Sequence, residues 1–143
     1  MKTWLAVERL ENWLSDKQSG FNMFGIPEHV SKAASKAEAG DQIIVYVSSN
    51  ISAFADVRTI THDGIKKLGF VSRYDDVYPY CLQTESLLTL KREAWIPIKG
   101  MVNNLELTKS SKDWRQIMRH ALRVLGTKDA QTIMSRMEAA KHG

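Results

Sequence analysis

The chain has a single cysteine, Cys81, among its 143 residues, so no internal disulfide can form and a thiolate zinc site lacks its partners. That usage suits a reducing compartment, and a cytoplasmic location is expected. The three prolines and eight glycines gather into no linker or low-complexity tract, and no repeat of solenoid length recurs. None of the glycines falls in a GxxxxGK[ST] or GxGxxG turn of the kind that cradles phosphates at a helix start. The GxSxG turn that exposes a serine nucleophile is also missing. His29, His62, His120 and His142 are scattered, with no pair at a metal-ligating spacing. No stretch approaches the roughly 20 apolar residues that cross a bilayer. Glu8, Arg9 and Glu11 interrupt the apolar residues near the start, where a signal peptide needs a continuous run. These absences argue against P-loop chemistry, elbow-type hydrolysis, a resident metal or cofactor, and membrane insertion; the expectation is a binding domain and not an enzyme.

What is present is an ordinary globular composition. Hydrophobic residues make up 43% and charged residues 25%, which supports one packed core, and residues 1–143 are read as a single domain. Lysine and arginine outnumber aspartate and glutamate by 20 to 16, for a net charge of +4. A mild basic excess favours a phosphate-bearing partner without requiring one.

Four strands are expected: Thr3 to Val7, the continuous β-branched run Ile43 to Val47, Phe54 to Ile60, and Tyr80 to Leu90. In the last, the adjacent Leu87-Leu88 pair suggests a bulge. Gly40-Asp41 supplies the turn into the second. Three helices are expected. One runs from Pro27 to Ala39, where Val30, Ala33, Ala34 and Ala37 recur on one face. A second runs from Asp113 to Leu125, where Trp114, Ile117, Met118, Ala121 and Leu122 keep helical spacing. A third follows Thr127, with Ala130, Ile133, Met134 and Met137 as its stripe, and the last three residues are expected to be loose. Strands without regular intervening helices indicate an α+β fold, a small curved sheet or barrel flanked by helices.

Few side chains carry recognisable chemistry. Asp75 and Asp76 are adjacent, so on an extended chain they point to opposite faces and cannot flank one substrate atom. Cys81 lies in a strand with no activating base marked nearby. Two features lean toward nucleic acid. On the expected helix after Asp113, Lys112, Arg115, Arg119 and Arg123 follow steps of three and four, forming a basic ridge that either contacts phosphate or is simply a solvated face. Aromatic rings near turns and strand ends could stack on bases. Trp4 and Tyr46 are expected to be core, while Phe24, on a Met-Phe-Gly-Ile-Pro turn, is expected to be more exposed.

The sequence also resembles a known family over most of its length. Glu11-Asn12-Trp13 after the first strand, Phe24-Gly25-Ile26-Pro27-Glu28, Gly40-Asp41 with the strand that follows, Phe54-Ala55-Asp56-Val57, Tyr78-Pro79-Tyr80 and Lys112-Asp113-Trp114 occur in the order and spacing of the EVE domain. That domain is a relative of the PUA and YTH domains that recognise RNA or modified bases. The resemblance implies a PUA-like pseudo-barrel of mostly antiparallel strands flanked by helices, with a pocket between barrel and helices for a flipped-out base. Carried over by position, Phe24, Gly25, Ile26 and Pro27 would form one wall, Ser48 a small polar contact, and Tyr80 to Gln83 another wall. Trp114 would close the site, and Lys112, Arg115, Arg119, His120 and Arg123 would meet phosphate. Position 24 carries Phe where the family has Trp, which keeps stacking but removes an N–H donor, and Cys81 stands where an arginine is usual.

The implied partner is DNA or RNA, with a modified base. Two other readings stay open: an RNA-binding module without modified-base specificity, and a module that binds protein or a small ligand.

Overall fold

The computed structural model describes residues 1–73 and 76–142, so Tyr74 and the first member of the Asp75-Asp76 pair lie outside the described residues. The strands are β1 (Thr3–Glu8), β2 (Met23–Ile26), β3 (Gln42–Val47), β4 (Ala53–Ile60), β5 (Lys66–Arg73), β6 (Asp76–Thr89), β7 (Ile96–Pro97) and β8 (Leu122–Val124). The α-helices are α1 (Leu10–Gln18), α2 (Ser31–Ala34), α3 (Trp114–Ile117) and α4 (Thr127–His142). The sheet runs β2-β6-β4-β3-β1-β8, with β5 added to β6 and β7 to β4.

The arrangement is α+β and mostly antiparallel; β1 and β3 run parallel, because the chain between them returns through α1, β2 and α2. Its centre is the strand that the sequence marks best. Ile43 to Val47 are all buried in β3, since helices and loops cover both faces of the sheet there. The long β6 curls the sheet into a half-barrel: its first half pairs with β5 and β2, its second half with β4. Leu87 is the residue left over at the turn of the curl. Val57 pairs with Leu88 and Arg58 with Ser86, so a bulge does fall at the Leu87-Leu88 pair, and Leu87 is 51% exposed.

The turn before β3 is held from the side by Asp41. Its carboxylate accepts hydrogen bonds from the backbone N–H groups of Lys2 at 2.8 Å and Glu38 at 3.0 Å and from the indole of Trp4 at 3.1 Å. Burial opposes the charge, but those donors and the Lys2 ammonium hold the carboxyl below its ordinary value. Asp129, near the start of α4, does similar work with the backbone N–H groups of Glu106 and Leu107, at 2.7 and 2.9 Å.

Three sequence expectations are corrected. The helix from Asp113 to Leu125 is one α-helical turn, α3, after which the chain straightens into β8 and pairs with β1, Leu122 opposite Ala6 and Val124 opposite Trp4. A free strand edge on β1 captured residues whose local spacing suits a helix, because backbone pairing there satisfies donors and acceptors that a solitary helix turn would leave open. The helix from Pro27 to Ala39 shrinks to a 3-10 turn at Glu28–Val30 and the single turn of α2; Ala34 and Ala37 are buried, but Ala33 faces solvent. The tail is helical as far as His142, with Ala130, Ile133 and Met137 as the buried stripe.

Candidate functional site

The loop-to-helix step after β1 builds the site. Glu8 ends the strand and Leu10 begins α1, whose inward face carries Asn12, Trp13 and Asp16, all buried. Two of those three are polar, so this face meets other polar groups and not a hydrophobic slab.

The first of those groups is Arg58, whose side chain is fully buried on β4. Its guanidinium contacts three carboxylates: Asp56 at 2.8 Å, Asp16 at 3.0 Å and Glu8 at 3.2 Å. The indole N–H of Trp13 donates to Asp56 at 2.6 Å. The ring of Phe21 covers the guanidinium at 4.8 Å and that of Phe24 lies 5.7 Å away. Burial works against the charge on Arg58, but Asp56, Glu8 and Asp16 hold it protonated beyond its usual range. Burial and the neighbouring Asp16 push the carboxyl of Glu8 well above the ordinary carboxylate range, outweighing the pull of Arg58. Asp56 is also raised by burial, against the opposing pull of Arg58 and Trp13.

In front of this cluster lies a cavity of about 660 Å³, within the range of roughly 300–1,000 Å³ common for small-molecule sites. Val7, Glu8, Arg9, Asn12, Pro27, Ser48, Tyr78 and Arg119 are among its walls. It narrows into a recess of about 50 Å³ bounded by Glu8, Asn12, Phe24, Gly25, Ile26 and Tyr78. The buried walls, Glu8 and Asn12, are polar, while exposed His29 and Arg119 stand at the rim.

Asn12 is the decisive side chain. Its Nδ2 donates to the hydroxyl of Tyr78 at 3.0 Å, whereas its buried Oδ1 has no partner among the described residues. An unmet acceptor of this kind costs about 1–3 kcal/mol, a penalty that a ligand donor would relieve. Gly25 leaves space for the Tyr78 ring: an added Cβ would lie 3.1 Å from Tyr78 Cδ1.

The sequence-derived wall residues divide. Phe24, Gly25, Ile26 and Pro27 do line the recess, although on strand β2 and not on an exposed turn; Phe24 is buried, because β2 pairs with β6 and its ring packs over Arg58. Ser48 lines the larger cavity, with its N–H and hydroxyl both donating to the Glu8 carbonyl, at 2.9 and 3.3 Å. Tyr80 and Gln83 lie outside these walls, since the antiparallel register carries them opposite Ile26 and Met23; Tyr78 stands where they were expected. Trp114 borders an adjoining polar cavity of about 290 Å³ with Tyr46, Ser49, Asn50 and Arg115, joined to the first through Ser48 and Arg119. Arg115 stacks on Trp114 at 4.5 Å.

The basic ridge is not one helix face. Lys112 precedes α3, Arg115 lies in it, Arg119 and His120 follow it, and Arg123 is half-buried in β8 opposite Leu5. Only Arg119 of these reaches both cavities. Sequence reasoning passed over Glu8, Asn12 and Tyr78 as site residues; Asn12 and Tyr78 did lie inside quoted motifs, which was the available signal. Among the described residues no three histidine, cysteine or acidic side chains are placed to hold a metal ion, and no helix is long and apolar enough to cross a membrane.

No family model and no curated protein matches the sequence. Solved structures do match in shape. Human THYN1, solved in complex with 5-methylcytosine-containing DNA, superposes with a TM-score of 0.63 at 14% identity, covering 96% of this chain and 98% of that one. The YTH domain of Zygosaccharomyces rouxii MRB1, solved in complex with N6-methyladenosine RNA, gives 0.66 at 10% identity over 96% of this chain and 86% of that one. This chain has the PUA-like fold. A hypothetical protein from Leishmania major shares it, with a TM-score of 0.67 at 8% identity and coverage of 97% and 96%. At such identities the PUA-like likeness concerns the path of the chain, and the side chains of the cavity speak for themselves.

Proposed function

We propose that this domain is a nucleic-acid reader of the EVE type that takes one extruded, modified base of DNA or RNA into the cavity beside Asn12. The observation that carries the reading is the buried Oδ1 of Asn12, without a partner among the described residues, on the wall of an open cavity of about 660 Å³. Phe24 and Tyr78 bring aromatic surface to the recess, and the rim brings Arg119 and His29 to where a sugar-phosphate backbone would pass. Extruding a base costs a few kcal/mol, which stacking worth about 1–3 kcal/mol and edge hydrogen bonds together offset. THYN1 and the MRB1 YTH domain, both solved with modified nucleic acid, lend support through the shared fold.

The test is binding to DNA and RNA oligonucleotides with unmodified or modified cytosine and adenine, at two salt concentrations, for wild type and Asn12→Ala. A preference for one modified base that survives high salt and disappears in Asn12→Ala supports the reading. Binding that ignores modification and collapses with salt rejects it. That outcome would favour a second reading, RNA binding led by the backbone, for which the polar cavity between Ser49, Asn50 and the stacked Trp114–Arg115 pair is the structural candidate.

A further inference from the structure

The cluster behind the cavity is unbalanced in charge. Glu8, Asp16 and Asp56 surround Arg58, the one buried cation among the described residues. Three ionised carboxylates against one guanidinium would give these four side chains a net charge of −2 in a water-poor interior, where charge lacks the solvation that water supplies. Asp16 and Asp56 are sealed off, with fully buried side chains. Glu8 alone of the cluster lines both the cavity and its recess.

A second feature of the same wall asks for the same kind of partner. The Oδ1 of Asn12, a residue 3% exposed, has no hydrogen-bond partner among the described residues. A carboxyl with surplus negative charge behind it and an amide oxygen without a hydrogen bond both call for N–H groups and positive charge. The basic residues of the larger cavity, half-buried Arg9 and exposed His29 and Arg119, do not line the recess, where Glu8 and Asn12 stand.

Building on the reader function proposed above, we propose that the cavity selects a nucleobase carrying a positive charge on its ring, as N-methylation of a pairing nitrogen produces, with Glu8 as counter-charge and Asn12 Oδ1 as hydrogen-bond acceptor. In the unliganded protein a proton on the carboxyl of Glu8 relieves the surplus. The cationic ring takes over that role: the carboxyl O–H bond breaks, the proton leaves to solvent, and the carboxylate pairs with the base. A neutral base of the same shape offers no such exchange.

Two pairs of isomers test this without change of size. Near neutral pH the base ring is positively charged in the 5′-monophosphates of 3-methylcytidine and 1-methyladenosine and uncharged in those of 5-methylcytidine and N6-methyladenosine, while the phosphate is the same in all four. Titration calorimetry of the full chain near pH 7 should show each nucleotide with a charged ring binding at least about 10-fold tighter than its isomer with an uncharged ring, equivalent to about 1.4 kcal/mol. In Glu8→Gln, which keeps the side-chain shape and an oxygen for Arg58, each ratio should fall to about one. Uncharged-ring isomers that bind as well as the charged-ring ones, or ratios unchanged in a folded Glu8→Gln, overturn the charge selection and leave the reader function standing. If Glu8→Gln does not fold, the wild-type ratios decide alone. If no modified nucleotide binds, free or in an oligonucleotide, both proposals fall.

Discussion

The amide of Asn12 and the hydroxyl of Tyr78 meet at 3.0 Å across the cavity, joining α1 to the start of β6. With Nδ2 as the bonded end, Oδ1 is left without a partner among the described residues, and the ring of Tyr78 is itself pressed against Gly25. The three residues therefore form one chain of contacts, and a change at its far end should be felt at Asn12.

Gly25→Ala tests that chain. Its Cβ would come within 3.1 Å of Tyr78 Cδ1 and 3.3 Å of Cγ, so the ring must yield by a few tenths of an ångström. A loss of about 1 kcal/mol in stability is expected from this overpacking, together with weakened nucleic-acid binding as the hydroxyl moves away from Asn12. Thermal melts and an affinity titration on the same preparation separate the two effects; unchanged affinity would uncouple Tyr78 from the site.

Arg58→Met should be among the most destabilising substitutions in the chain. Removing the guanidinium strands Glu8, Asp16 and Asp56 without their counter-charge, and breaking a buried pair from one side costs about 3–5 kcal/mol. Urea unfolding should show that loss near neutral pH and a smaller one in acid, where protonation neutralises the stranded carboxylates.

The raised carboxyl of Glu8 makes a signed prediction about pH. Its folded-state value lies well above the ordinary 4.5, so the folded protein holds a proton that the unfolded chain has released. The corresponding stability is complete below the ordinary value and is lost as pH rises through the raised one. Glu8→Gln should flatten the fall in unfolding free energy as pH rises above the ordinary carboxylate value of 4.5. Asp41 works in the opposite sense: its lowered value gives stability above the ordinary 3.8 that disappears as pH falls, and Asp41→Asn should reduce the acid dependence of the melt.

Arg119 and Arg123 should separate cleanly in salt titrations. Arg119 is exposed and reaches both cavities, so Arg119→Ala should lower the slope of log affinity against log salt by about 1. Arg123 is half-buried in β8 opposite Leu5, and Arg123→Ala should leave that slope unchanged. Equal effects would restore a continuous basic ridge as the contact surface.

The elements legible in the sequence were those whose burial is apolar. Ile43 to Val47 read as a strand because both faces are covered, and the stripe Ala130, Ile133 and Met137 read as a helix because one face is. Helix α1 went unread for the converse reason: its inward residues include Asn12 and Asp16, and Leu14 on it is 50% exposed, so hydrophobic periodicity has nothing to register. The same polar face is the wall of the site. The quoted motifs brought Phe24 to Pro27 and Ser48 to the cavity, but the shift from Tyr80 to Tyr78 depends on how β6 registers against β2, which no local pattern states.

By itself, then, the sequence determined the β-rich core and the mixed α+β class, because alternation, β-branching and turn residues act over a few positions; residues 24–27 were pointed to by the family resemblance and not by local pattern. Tertiary structure decided the rest. Residues 122–124 became a strand once the edge of β1 offered unpaired backbone, and Glu8, Asp16, Asp56 and Arg58 became one charged cluster only when β1, α1 and β4 came together. Desolvation, hydrogen-bond satisfaction and charge balance are set by neighbours distant in the chain, and those neighbours made Asn12 and Glu8 the walls of a site.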